Sequence, residues 1–118
     1  MDTTSALHAE LTRARGEAVA RVAEFDAVVR ELAQARSDSD TDDEHDPEGS
    51  TLSWDRAVQA ASADAARHRL AEIDAALDRL EAGWDGACVA CGRPIPAERL
   101  AARPGADRCV ACAGRARR

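Results

Sequence analysis

Cys88-Val89-Ala90-Cys91 and Cys109-Val110-Ala111-Cys112 are two copies of one pattern, Cys-x-x-Cys, with seventeen residues between them. That separation is the spacing of a zinc ribbon. A tight knuckle turns both sulfurs of a pair toward one point, and two knuckles close a tetrahedron around one Zn²⁺ with Zn–S of about 2.3 Å. The expected metal ligands are therefore Cys88, Cys91, Cys109 and Cys112. Four sulfurs fill the coordination shell and leave no position for water, so the expected zinc is structural and not hydrolytic. Two disulfides or a redox dithiol are the alternatives. The opening Met1-Asp2-Thr3-Thr4-Ser5 carries neither a basic segment nor an apolar one, so no export signal is read, and without export paired Cys-x-x-Cys reads as a metal site. Gly92, just after the first knuckle, is expected to take a positive φ and let backbone N–H groups approach the sulfurs. Arg93 and Arg108 flank the knuckles, where they are placed to offset the excess negative charge of four thiolates.

Between the knuckles, Arg93-Pro94-Ile95-Pro96 is too rich in proline for a helix and is expected to be extended. Ala97 to Ala102 is expected to make one helical turn before Arg103-Pro104-Gly105. A short Ala/Arg helix is expected after Cys112.

Upstream, Ala63, Ala66, Leu70, Ile73, Leu77, Leu80 and Trp84 recur at alternating spacings of three and four, the seam of a coiled coil. This helix is expected to start near Ser53 as N-cap, with Asp55 favoured in its first turn, and to end in the Gly83–Gly86 region. An earlier helix, from about Thr4 to Ala35, carries Leu11, Ala18, Phe25 and Leu32 every seven residues, with Ala14, Val22, Val28 and Val29 beside them. Gly16 is its weak spot, costing about 1 kcal/mol relative to Ala. Two helices of about 30 residues, roughly 45 Å each at 1.5 Å per residue, joined by a turn-rich stretch, predict an antiparallel hairpin. A single dimerising helix is disfavoured by Pro47-Glu48-Gly49. The fold class expected is mainly α: a long antiparallel helical hairpin over residues 1–84 with an acidic tip loop at 37–50, then a C4 zinc-ribbon-like module over 85–118 with a basic tail.

The bulk composition agrees. Only Phe25, Trp54 and Trp84 are aromatic among 118 residues, and alanine supplies most of the apolar fraction. Alanine buries little area, so the core is thin and a metal is the natural staple for its far end. The net charge of −6 is unevenly spread. Ser37 to Glu48 holds seven acidic residues and no basic one, whereas Cys88 to Arg118 holds seven Arg against two acids. Carboxylates so dense repel one another and stay solvated. Beside a stiff helix pair they also form an acidic probe suited to a basic cavity or a bound metal. Trp54, next to this run, either closes the top of the seam or stands exposed there. His45 is a weaker candidate for a metal ligand, and His8 and His68 read as surface residues. No apolar run reaches the length of a membrane span.

These residues resemble the DksA/TraR family of C4-zinc transcription regulators. The resemblance rests on Leu77-Asp78-Arg79-Leu80-Glu81-Ala82-Gly83-Trp84-Asp85-Gly86-Ala87-Cys88, with Trp84 where an aromatic is usual. It continues through Cys91-Gly92-Arg93-Pro94-Ile95, Glu98-Arg99-Leu100 and Arg103-Pro104 to the second knuckle. It implies direct binding to RNA polymerase rather than to promoter DNA, with the hairpin entering the secondary channel and its acidic tip near the catalytic Mg²⁺. The best-known members carry Asp-x-x-Asp-x-Ala at the tip. Here the nearest match is Asp43-Glu44-His45-Asp46-Pro47-Glu48, in which Asp43 and Asp46 agree and Glu48, preceded by Pro47, replaces the alanine. The effector acids implied are Asp43 and Asp46, with Asp42, Glu44 and Glu48 supporting. A cytoplasmic, monomeric, non-enzymatic regulator is expected, since no nucleophile–base pair, open metal position or phosphate-binding loop is readable. The rivals are a zinc-ribbon nucleic-acid binder, using Arg93, Arg99, Arg103, Arg108, Arg115, Arg117 and Arg118, and a protein-interaction module. The acidic remainder of the chain and the lack of stacking aromatics count against nucleic acid.

Overall fold

The structure is a computed structural model that describes residues 3–39 and 47–116, with side chains for 4–35 and 51–115. It is mainly helical: α1 spans Thr3–Ser39, α2 Pro47–Glu81, α3 Ala97–Ala102 and α4 Val110–Ala116. Among the described residues the only strand-like pairing is an isolated antiparallel bridge between Ala87 and Pro94. No described helix is long and apolar enough to cross a membrane.

Both long helices outrun their expected ends. α2 begins at Pro47, six residues before the expected N-cap Ser53, which therefore lies within the helix. Proline suits a first helical position, where its fixed φ is already helical and its missing N–H is not needed. α1 runs on to Ser39, since extending a helix beyond its packed part costs little per residue. The expected loop at 37–50 is thereby narrowed, with 37–39 and 47–50 helical. Asp42, Asp43, Glu44, His45 and Asp46 lie outside the described residues, as do Arg117 and Arg118. Glu48 lies in the first turn of α2, outside the described side chains.

The chain divides into two compact units, Ala18–His68 and the combination of Met1–Glu17 with Arg69–Arg118. In the first of these, Ala18, Ala63 and Ala66 are buried and Val22, Phe25, Val28 and Val29 are half-buried. Arg67 spans the two helices by an ion pair to Asp26. Trp54 does not close the seam: it is 70% exposed, with Val58 exposed one turn on.

In the second unit the start of α1 packs antiparallel on the end of α2 and both meet the cysteine segment. Leu7 and Leu11 of α1, Ala76 and Leu80 of α2, and Cys88, Ile95, Leu100 and Cys112 form one buried cluster. Ile73 and Ala76 are fully buried. Arg15 bonds Asp74 at 2.6 Å across the helix pair, a half-exposed ion pair worth less than about 1 kcal/mol. Burial of the apolar cluster carries the stability.

α2 stops by a glycine device. Gly83 adopts φ +111°, the Gly83 N–H bonds the Leu80 carbonyl at 3.1 Å, and the Trp84 N–H bonds the Arg79 carbonyl at 2.9 Å. These paired bonds satisfy the last carbonyls of the helix and turn the chain toward the first knuckle. Gly86 then takes φ +83°, and a Cβ there would stand 3.0 Å from Cδ2 of Leu7. Backbone freedom and close approach thus require glycine at this one position.

Candidate metal centre

Two short turns aim the sulfurs. The first is closed by Cys88 N–H to the Arg93 carbonyl and Gly92 N–H to the Cys88 carbonyl, both 2.8 Å. Gly92 has φ +78°, as the sequence predicts. The second knuckle opens α4, so Cys109 precedes the helix and Cys112 lies in its first turn. Val89 N–H bonds the Asp107 carbonyl at 2.9 Å, tying one knuckle to the other.

The four sulfurs of Cys88, Cys91, Cys109 and Cys112 lie within 4.8 Å of one another, and Cys91 and Cys109 stand 3.9 Å apart. A disulfide requires about 2.05 Å, and all four cysteines are free. Tetrahedral ligands about 2.3 Å from one ion are separated by about 3.8 Å, so the donor set fits one Zn²⁺. Cys88 and Cys112 are buried in the apolar cluster, Cys109 is half-buried and Cys91 is exposed. The same two side chains therefore belong to the metal site and to the core. Four thiolates and no water position make the site structural, and bound zinc supplies a cross-link between the two knuckles rather than a reaction.

The thiols differ in acidity. Backbone N–H groups, that of Cys109 first and then those of Cys91 and Ala90, hold the Cys88 thiol down at about 6. The Cys109 thiol is also lowered, chiefly by the backbone N–H of Cys112. Cys112 is pushed up to about 12 by its neighbour Cys109 and by burial. Without metal, then, the cluster carries thiolate at Cys88 and a retained proton at Cys112. Zinc displaces that proton, so the metal-bound state is the deprotonated one and acid favours the metal-free state. Apparent zinc affinity is expected to fall by at least about tenfold per pH unit between about pH 8 and about pH 6, because the one proton that Cys112 retains over that whole range contributes a full factor of ten per unit and any other protonated thiol adds to it. Competition with a chelator of known pH dependence measures it. A flat profile would mean that the sulfurs are already fully ionised.

The scaffold around the site contains residues that local pattern missed. Arg69 of α2 donates to the carbonyls of Ala101 (2.9 Å) and Ala102 (3.3 Å), capping the end of α3. Arg79 donates to the Pro104 carbonyl at 3.4 Å and lies over the Trp84 ring, 4.9 Å from its centroid. The indole Nε1 donates to the Ala87 carbonyl at 2.8 Å, so Trp84 braces the entry to the first knuckle instead of extending the seam. Asp85 Oδ1 accepts the Ala87 N–H at 3.1 Å. Arg93 and Arg108 contribute carbonyls, to Cys88 N–H and to Nε of Arg99 (2.8 Å) respectively.

Comparison with known proteins agrees with this geometry. Residues 80–118 match the model of the prokaryotic dksA/traR C4-type zinc finger. An uncharacterized protein of Aquifex aeolicus (strain VF5) is 48% identical over 44 residues, 37% of this chain, and the match spans only 30% of that relative's length. The solved structure of transcription factor DksA2 from Pseudomonas aeruginosa superposes with a TM-score of 0.76 at 26% identity, covering 98% of this chain and 83% of that one. Residues 80–118 thus match a zinc finger of the DksA/TraR C4 type, on a chain whose long helix pair and cysteine module are similar in fold to DksA2.

Proposed function

We propose that this chain is a transcription regulator that binds RNA polymerase directly and acts through its acidic segment in the secondary channel, near the catalytic metal. The similarity to DksA2, a transcription factor, over nearly the whole chain supports this reading most strongly, and the C4 finger supports it from the other end of the sequence. The role is regulatory and not enzymatic, with zinc holding the finger together. The chemistry of the acidic segment fits its target: seven carboxylates between Ser37 and Glu48 are drawn to Mg²⁺ and to basic channel walls, and salt weakens that attraction. Asp43 and Asp46 are the effector acids in this reading. Asp42, Glu44 and Glu48 raise the local field, and Pro47 fixes where α2 begins.

Asp43→Asn combined with Asp46→Asn removes two charges without changing size. The double variant is expected to keep its zinc and its polymerase affinity within about threefold, and to lose most of its effect on transcript yield in a reconstituted reaction. An unchanged transcript yield would remove these two residues from the mechanism.

A further inference from the structure

We propose that the cleft between the start of α1 and the α3 region of the finger is a docking site for a short peptide segment of a partner protein, carrying an apolar anchor flanked by arginine or lysine. The cleft has a volume of about 440 Å³ and lies wholly within the unit built from Met1–Glu17 and Arg69–Arg118. Leu7, Ile95 and Leu100 are buried at its base, and Ala6, Pro94 and Ala97 form exposed walls. Every titratable side chain lining it is acidic: Glu10, Asp85 and Glu98. Glu10 shares its charge with Arg13, which leaves Asp85 and Glu98 as the main source of negative potential at the rim.

This charge decides the occupant. Residues 88–118 hold seven Arg against two acids, so an acidic cleft here runs against the charge of its own module. A neighbouring cleft of the same unit differs in charge, lined by Arg99, Arg103 and Arg108 together with Glu72 and Asp107. Phosphate or nucleic acid is repelled from the Leu7–Leu100 cleft by its carboxylates and finds no basic side chain lining it. An apolar side chain fits the floor, and a flanking guanidinium or ammonium meets Asp85 and Glu98. Small preformed apolar clefts with a few charged groups at the rim are the usual form of such sites. The anchor would supply affinity, and the rim charges specificity and orientation.

The test uses the zinc-loaded full chain and three soluble hexapeptides with a central Leu-Ile pair flanked by Arg, by Ser or by Glu. Binding is followed by amide chemical-shift changes. The expected order is Arg tighter than Ser and Ser tighter than Glu, each step at least about threefold, with saturating shifts at Leu7, Gly86, Ile95 and Leu100. Glu98→Arg, at an exposed position in the first turn of α3, sets a positive charge against the remaining Asp85 and is expected to shrink the preference for Arg over Glu to less than about threefold. Three results would overturn the proposal: no saturable binding of the Arg peptide, equal binding of all three, or shifts confined to Arg99, Arg103 and Arg108. The charge series on the unaltered chain stands without the variant.

Discussion

Cys112→Ser is expected to cost the chain its zinc and, with it, the fold of the unit that contains the finger. Cys112 is both a ligand and a member of the buried cluster with Leu7, Leu11, Leu80 and Leu100. Structural zinc contributes on the order of 10 kcal/mol of apparent binding energy, and that energy is folding energy where no site exists in the unfolded chain. The apolar cluster alone is small, and single domains hold only about 5–15 kcal/mol of net stability. Zinc content is expected to fall from one ion per chain to a small fraction. Amides of residues 88–112 are expected to lose protection from exchange. Helical signal from Ala18–His68, whose buried residues lie in the other unit, is expected to persist in part. Removal of zinc from the unaltered chain by a strong chelator should give the same pattern, and readdition should reverse it. A variant that keeps native exchange protection without metal would show the apolar cluster to be sufficient.

Leu11→Ala is the second change with a large expected effect. Leu11 is 1% exposed and sits where α1, α2 and the finger meet. Truncating a buried leucine removes its transfer energy and leaves a cavity, costing about 2–5 kcal/mol. In a unit with one small cluster and many alanines there is little nearby volume to collapse into the gap, so the upper half of that range is expected. Val19→Ala serves as control. Val19 is 42% exposed, and truncation there is expected to cost under about 0.5 kcal/mol. Urea titration of the zinc-loaded proteins distinguishes the two, provided the slopes agree.

The metal site was the most legible part of the sequence, because its information is local. Two knuckles at fixed spacing define four ligands before any fold is known, and Gly92 follows from the turn the first knuckle needs. The seam was legible for a related reason: spacings of three and four pick out Ala63, Ala66, Ile73 and Leu80, all of them buried. Even the short α3 was readable, since Pro96 and Pro104 bracket it. What escaped the reading is not periodic. Arg69 and Arg79 reach carbonyls 25 to 33 residues away, and no local pattern marks a long side chain that will cross between elements. Leu7 lies one turn before Leu11 and carried a signal that a seven-residue count passes over. Ala76 is fully buried in the cluster with Leu7, Leu11 and Leu80, a fact of packing and not of residue type. Trp54 was the reverse case, a large apolar side chain that pattern could place on either face and that stands in solvent.

The exposure of Trp54 also provides a probe of polymerase binding. Its indole is 70% exposed and belongs to α2, seven residues after the helix begins at Pro47. The measurement is equilibrium binding of the zinc-loaded chain to core RNA polymerase, followed by tryptophan fluorescence of this chain, with and without a competing secondary-channel factor. Saturable binding that the competitor displaces and that weakens as salt rises is expected. Absence of binding at low salt, or binding that the competitor leaves untouched, would contradict direct binding through the secondary channel.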